Sequence, residues 1–214
     1  MPVEAKICGL RTPEAVAAAV EGGARYLGFV FFSRSPRHVA PTEASRLAAT
    51  IPPSVKRVGL VVDADDAALA VLLRECPLDI LQLHGRETPD RVRQVRERFG
   101  LPILKALPIS EEGDVRAARA YEDAADLLLF DAKPPRGATR PGGNALAFDW
   151  TLLAGTVWRR PWLLAGGLEP GNVAEAVRLS GARAVDVSSG VEDAPGIKNP
   201  ARIRAFLDAV RAIP

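Results

Sequence analysis

Two histidines, two cysteines and a single methionine in 214 residues leave little room for several kinds of chemistry. His38 and His84 stand far apart, and no pair of histidines or carboxylates has ligand spacing, so no metal-binding motif is present. Cys8 and Cys76 form neither a C-x-x-C motif nor a disulfide framework. No apolar run is long enough to span a bilayer, and no N-terminal apolar stretch has signal-peptide length, which predicts a cytoplasmic protein with no membrane role. A net charge of +2 and a pI near 8.7, without a basic run interleaved with aromatics, argue against a nucleic-acid partner. There is no G-x-G-x-x-G and no Ser/His/Asp signature. Nothing in the composition breaks along the chain, so 1–214 is expected to be one domain.

What is present is repetition. Apolar runs recur at Val3–Cys8, Tyr26–Val30, Arg57–Val62, Asp79–Leu83, Ile103–Leu107, Asp126–Phe130, Trp162–Ala165 and Ala184–Val187. They are short, continuous and rich in Val, Ile and Leu, the pattern of strands buried on both faces of a parallel sheet. Helical patterns separate them. Thr12-Pro13, Pro41, Thr88-Pro89 and Asn199-Pro200 open helices, because proline at the first helical position gives up no needed hydrogen bond. The stretch Asp63 to Arg74 carries Leu69, Leu72 and Leu73 on one face. This alternation predicts an α/β fold of the (β/α)8 TIM-barrel type, which 214 residues can build if the loops are short.

The segment from Trp162 to Val191 is the most informative. Two of its apolar runs end in small residues, Gly166-Gly167 and Ser188-Ser189-Gly190. Glycine lets main-chain N–H groups approach an anion closely, and loops after the seventh and eighth strands of such barrels commonly hold phosphate. Gly166, Gly167, Ser189 and Gly190 are therefore expected to bind the phosphate of a small-molecule substrate. Two other loops stand out: Phe31 to Ala40, with Arg34, Arg37 and His38, and the Pro/Gly-rich stretch 132–147, long enough to suggest a binding loop.

If the barrel closes, the strand ends bring Cys8, Arg37, Asp63, His84, Lys105, Asp131 and Asp186 to one mouth. All of these except Asp63 also have a plain structural explanation. Cys8 could be a small buried hydrophobe, as Cys76 near a helix end is expected to be. Asp131, after Leu127-Leu128-Leu129-Phe130, could cap the loop that follows, but burial there also suits it to carry a proton as an acid. Asp186, inside an apolar strand, must be paired or hydrogen-bonded. His84 could satisfy backbone, Arg37 could be a solvated charge, and Lys105 could pair with Asp186 or Asp131. The pattern left is acid–base chemistry on a phosphorylated small molecule.

The segments KICGLRTPE, GFVFFSRSPRHV, LQLHG, LLFDAK followed by PGG and FDW, LLAGGLEPGNV, and VDVSSGVE with GIKNP resemble the phosphoribosylanthranilate isomerase family, in order and through nearly the whole chain. The resemblance implies a (β/α)8 barrel of tryptophan biosynthesis that isomerises an aminoaldose to an aminoketose without metal or organic cofactor. It implies Cys8 as general base, Asp131 as general acid, Arg37 as the group holding the anthranilate carboxylate and Asp186 as a substrate-positioning carboxylate. His84 would be a polar residue of the mouth, with Gly166, Gly167, Ser189 and Gly190 at the phosphate. Two departures concern loops: PGGNALAFDW stands where a Gly-Gly-Thr-Gly-like stretch is expected, and Glu169 where asparagine is common. Monomer and homodimer are equally compatible with the sequence.

Two other readings compete. Another sugar-phosphate barrel enzyme, such as a pentose-phosphate epimerase, would want metal-binding histidines, and an indole-forming synthase would want more lysine and glutamate in the mouth. A catalytically silent barrel that only binds a phosphorylated ligand would not need both Cys8 and Asp131.

Overall fold

The structure is a computed structural model and describes residues 2–134, 142 and 147–214. In chain order its elements are β1 (Glu4–Cys8), α1 (Pro13–Glu21), β2 (Tyr26–Val30), α2 (Pro41–Ala48), β3 (Lys56–Val61), α3 (Asp66–Glu75), β4 (Ile80–Leu83), α4 (Pro89–Phe99), β5 (Ile103–Ile109), α5 (Glu112–Ala118), β6 (Leu127–Ala132), β7 (Trp162–Leu164), α6 (Val173–Ser180), β8 (Ala184–Val187), β9 (Glu192–Ala194), β10 (Ile197–Lys198) and α7 (Pro200–Arg211). Strands β1 to β8 pair in order and close into a parallel barrel, with β8 returning to β1. This is the (β/α)8 architecture that the alternating pattern predicts. Between β6 and β7 the described residues hold only a short 3-10 turn, Trp150–Leu153. No helix of the described residues is long and apolar enough to cross a membrane.

The helix starts follow from local chemistry. Thr12, Thr88 and Asn199 each accept a backbone N–H of the first turn, with proline next in sequence. Such caps contribute about 1 kcal/mol each. The third helix begins later than the apolar pattern suggests. Asp65 caps it, and Asp63 stays outside in a left-handed conformation, φ 49°.

Strand alternation decides which side chains enter the barrel. Ile7 on β1, Leu128 and Phe130 on β6, and Val185 and Val187 on β8 pack outward against helix residues such as Val16, Val92, Ile203 and Phe206. Inward positions carry Val58, Ile80, Leu104, Ala106, Leu129, Leu163 and Ala184, an apolar plug at the N-terminal end of the strands. Above that plug several inward positions are polar. The same two-residue period places Lys6 and Cys8, Gln82 and His84, Asp131, and Asp186 along the inner wall.

Beyond β8 the chain makes a feature absent from the sequence expectations. Strands β9 and β10 form a small antiparallel hairpin, whose turn contains Pro195-Gly196. It leans on the second loop: Gly196 has φ 85° and lies so close to the Pro36 carbonyl that no side chain would fit.

Candidate active site

At the C-terminal ends of the strands lies an open cavity of about 760 Å³, mouth included. Cys8, Arg37, His84, Asp131, Gly166, Gly167, Asp186 and Ser189 all line it. Gly190 does not. It sits behind the rim, where a Cβ would run into the Leu168 carbonyl, so the missing side chain lets two loops touch. Asp63 and Lys105 are also absent from the lining. Asp63 Oδ1 accepts the Arg86 N–H at 2.6 Å. Lys105 points outward from β5 and donates to Glu87 at 2.8 Å and to the Leu83 and Gly85 carbonyls, so its partner is Glu87, not Asp186 or Asp131. That cluster holds the turn carrying His84. The stretch 132–147 lies largely outside the described residues, and so does all of its Pro-Gly-Gly-Asn segment except Gly142.

Cys8 closes β1 among Val30, Leu60, Phe32 and Val62. Burial pushes its thiol up, Lys6 pulls it back, Asp186 pushes it up again and Lys198 pulls it back, with a raised value as the outcome. Asp131 ends β6 on the other side of the barrel. Its Oδ1 accepts the Ala132 N–H at 2.9 Å, and its Oδ2 lies 3.4 Å from His84 Nε2. Gln82 Nε2 lies 3.0 Å from His84 Nδ1. With the amide as donor, the ring proton sits on Nε2 and faces Asp131. Gly142 covers this pair so tightly that a Cβ would lie 2.6 Å from both Asp131 Oδ2 and His84 Nε2.

Arg37 is buried, its stem lying across Gly9, whose φ of 82° and missing side chain make room for it. Its Nε and Nη2 donate to Glu192 Oε1 and Oε2 at 2.7 and 2.8 Å. Lys198 donates to the same carboxylate at 2.6 Å and to the Ser188 carbonyl at 2.9 Å, and Ser188 Oγ donates to the Cys8 carbonyl at 3.1 Å. A continuous buried network therefore runs from Arg37 to the end of β1. Burial drops the Lys198 ammonium to about 8 despite Glu192.

At the rim, Gly166 and Gly167 take φ of 85° and 66°, conformations glycine adopts without strain. Asn172 ties this turn down: its Oδ1 accepts the Glu169 N–H at 2.8 Å and its Nδ2 donates to the Gly167 carbonyl at 2.9 Å. The loop is thus braced from three residues downstream, and Glu169 contributes its backbone. The Ser189–Val191 3-10 turn begins opposite.

Residues 5–209 match the family model described as "N-(5'phosphoribosyl)anthranilate (PRA) isomerase". The chain belongs to that family. An N-(5'-phosphoribosyl)anthranilate isomerase from Rhodospirillum centenum is 58% identical over 214 residues, covering 100% of both chains. A crystal structure of the Thermotoga maritima phosphoribosyl anthranilate isomerase superposes with a TM-score of 0.87 at 36% identity, over 97% of this chain and 98% of that one. A further phosphoribosyl anthranilate isomerase structure, in complex with reduced 1-(o-carboxyphenylamino)-1-deoxyribulose 5-phosphate, gives 0.83 at 33% identity with the same coverage. The chain is an enzyme, and its activity is the isomerisation that names the family, a step of tryptophan biosynthesis.

Sequence reasoning about this isomerase missed four of its buried polar residues: Lys6, Gln82, Glu192 and Lys198. A signal existed for the first. Lys6 interrupts a strand whose other residues from Ala5 to Cys8 are all buried, and such a lysine needs an anionic partner on a neighbouring strand. The other three depend on a turn, a hairpin and long-range packing.

Proposed function

We propose that the cavity binds N-(5'-phosphoribosyl)anthranilate with its phosphate on the Gly166-Gly167 turn and the Ser189 turn, its anthranilate carboxylate toward Arg37 and its ribose between Cys8 and Asp131. The supporting observation is that one thiol and one carboxyl, on strands far apart around the barrel, line the same cavity as the glycine-rich rim. Asp131 donates its proton to the furanose ring oxygen as the C1′–O bond opens, and the nitrogen lone pair forms the C=N bond. Cys8, as thiolate, then removes the C2′ proton, and those electrons neutralise the iminium to give an enolamine. Loss of the C2′ hydroxyl proton and protonation at C1′ complete the ketone. An acid and a base on two sides of one sugar each contribute roughly 10²–10⁴ in rate.

His84 faces Asp131 and orients its carboxyl. Asp186 positions substrate from the inner wall. A charged sugar phosphate does not cross a bilayer unaided, so the proposed compartment is the cytoplasm. A structure of this chain with reduced 1-(o-carboxyphenylamino)-1-deoxyribulose 5-phosphate tests the arrangement. Phosphate oxygens at the Gly167 and Ser189 N–H groups, with the sugar between Cys8 and Asp131, are expected. A phosphate at Arg37 would reverse the assignment.

A further inference from the structure

Lys6 is a fully buried cation that the chemistry above leaves without a task. Removing an ammonium from water is costly, and only a well-placed anionic partner offsets the cost. Its Nζ donates to Asp186 Oδ1 at 2.9 Å, and the two residues are register partners on β1 and β8. A purely structural pair could sit anywhere in the barrel. This one sits directly beneath Cys8.

Three features connect the cation to the thiol. Lys6 and Cys8 are two residues apart on β1, so both enter the barrel. Gly28 is the register partner of Cys8 on β2, and a Cβ there would lie 3.1 Å from Cys8 Sγ and 3.1 Å from Lys6 Nζ. The two atoms are therefore no more than 6.2 Å apart, and glycine keeps the space beside them clear. Finally, Cys8 packs against Val30 and Leu60, so little solvent screens the charge. An opposite charge within about 4–6 Å favours the ionised form of its neighbour.

We propose that Lys6, held in place by Asp186, is a positioning residue that stabilises the Cys8 thiolate. This rests on the assignment of Cys8 as the base. The charged groups facing Cys8 are Lys6 from β1, Asp186 from β8 and Lys198 from β10; Arg37, His84 and Asp131 line the same cavity. Lys6 and Lys198 favour the thiolate and Asp186 opposes it. Lys198 is engaged by Glu192 and Ser188 as Lys6 is by Asp186, and of the two cations Lys6 acts more strongly on the thiol. Asp186, with Cys8 behind it, outweighs burial and keeps Lys6 protonated.

The test follows the alkylation of Cys8 by iodoacetamide against pH, read by mass spectrometry of the peptide carrying it, together with the pH profile of kcat/KM. Wild type is compared with Lys6→Met and with Lys6→Met/Asp186→Asn, which leaves no unpaired carboxylate in the barrel. In Lys6→Met the alkylation inflection is expected at higher pH, with alkylation at neutral pH slowed roughly tenfold or more; in the double variant, which also loses the opposing charge of Asp186, the shift is expected in the same direction and smaller. The rising limb of kcat/KM should move the same way. A loss of packing alone would lower activity at every pH without moving the inflection. A variant with the wild-type circular dichroism spectrum and an unmoved inflection overturns the proposal and leaves the base assignment standing. A moved alkylation inflection with an unmoved kcat/KM profile supports the Lys6–Cys8 coupling and removes Cys8 from the base role.

Discussion

Arg37 and Glu192, 155 positions apart, meet as a buried fork in which two guanidinium nitrogens donate to two carboxylate oxygens at 2.7 and 2.8 Å. The arginine proposed to receive the substrate carboxylate is thus aimed by a carboxylate of its own chain. Lys198 grips the same Glu192 from the other side at 2.6 Å. One anion between two buried cations fixes the second loop, the β9–β10 hairpin and the end of β8 relative to one another.

Glu192→Gln should therefore cost both stability and binding. Breaking a buried ion pair typically costs on the order of 3–5 kcal/mol, measurable by urea unfolding, and KM should rise because Arg37 is no longer held. Burial would raise the Glu192 carboxyl, but Arg37 and Lys198 outweigh it and hold it below its ordinary value. Its contribution is present above the ordinary carboxylate range and is lost as pH falls through the lowered folded value. Wild type should lose stability in acid more steeply than the variant. Parallel acid profiles would mean that the pair contributes nothing.

Arg37→Ala should raise KM by roughly tenfold or more while kcat changes little, the signature of a group that holds ground state and transition state alike. Steady-state kinetics with varied phosphoribosylanthranilate decides it. A fall in kcat at constant KM would contradict the assignment to the carboxylate.

Gly190→Ala should weaken phosphate binding although residue 190 does not line the cavity. The new Cβ would collide with the Leu168 carbonyl, and relieving such a clash typically costs about 1–3 kcal/mol. The two rim loops must then separate. Inorganic phosphate, assayed as a competitive inhibitor, should bind less tightly to the variant than to wild type; equal inhibition would show that the rim does not depend on this contact.

Lys198 predicts the alkaline side. Burial brings its ammonium from an ordinary 10.5 to about 8. Between those values the unfolded chain holds a proton that the folded chain has released, so this group makes stability rise with pH. The stability of wild type relative to Lys198→Met should therefore improve from about pH 8 upward in urea titrations. A difference that stays flat with pH would place the Lys198 proton elsewhere.

The barrel was legible because its determinants are local and repeated. Tyr26–Val30 and Ala184–Val187 are apolar runs bounded by turn residues, and the structure has strands over the same residues. Proline after a capping residue marked α1, α4 and α7 for the same reason. The lining residues could be found as polar groups at strand ends. Asp63 and Lys105 show the limit of that rule: sequence places a residue at a strand end but not on the inner or outer face, and the left-handed turn at Asp63 and the outward direction of Lys105 settle both. The Lys6–Asp186 pair spans 180 positions, and only closure of β8 onto β1 makes those residues neighbours. Glu192 and Lys198 depend on a hairpin of five strand residues, too short for any periodicity to reveal.

The most direct measurement is kcat and substrate affinity for Cys8→Ala and Asp131→Asn, using the fluorescence of phosphoribosylanthranilate to follow turnover and binding. Each variant should lose at least about 10² in kcat while substrate still binds. Near-normal turnover in either would contradict a mechanism in which these two side chains act as base and acid on one bound ribose.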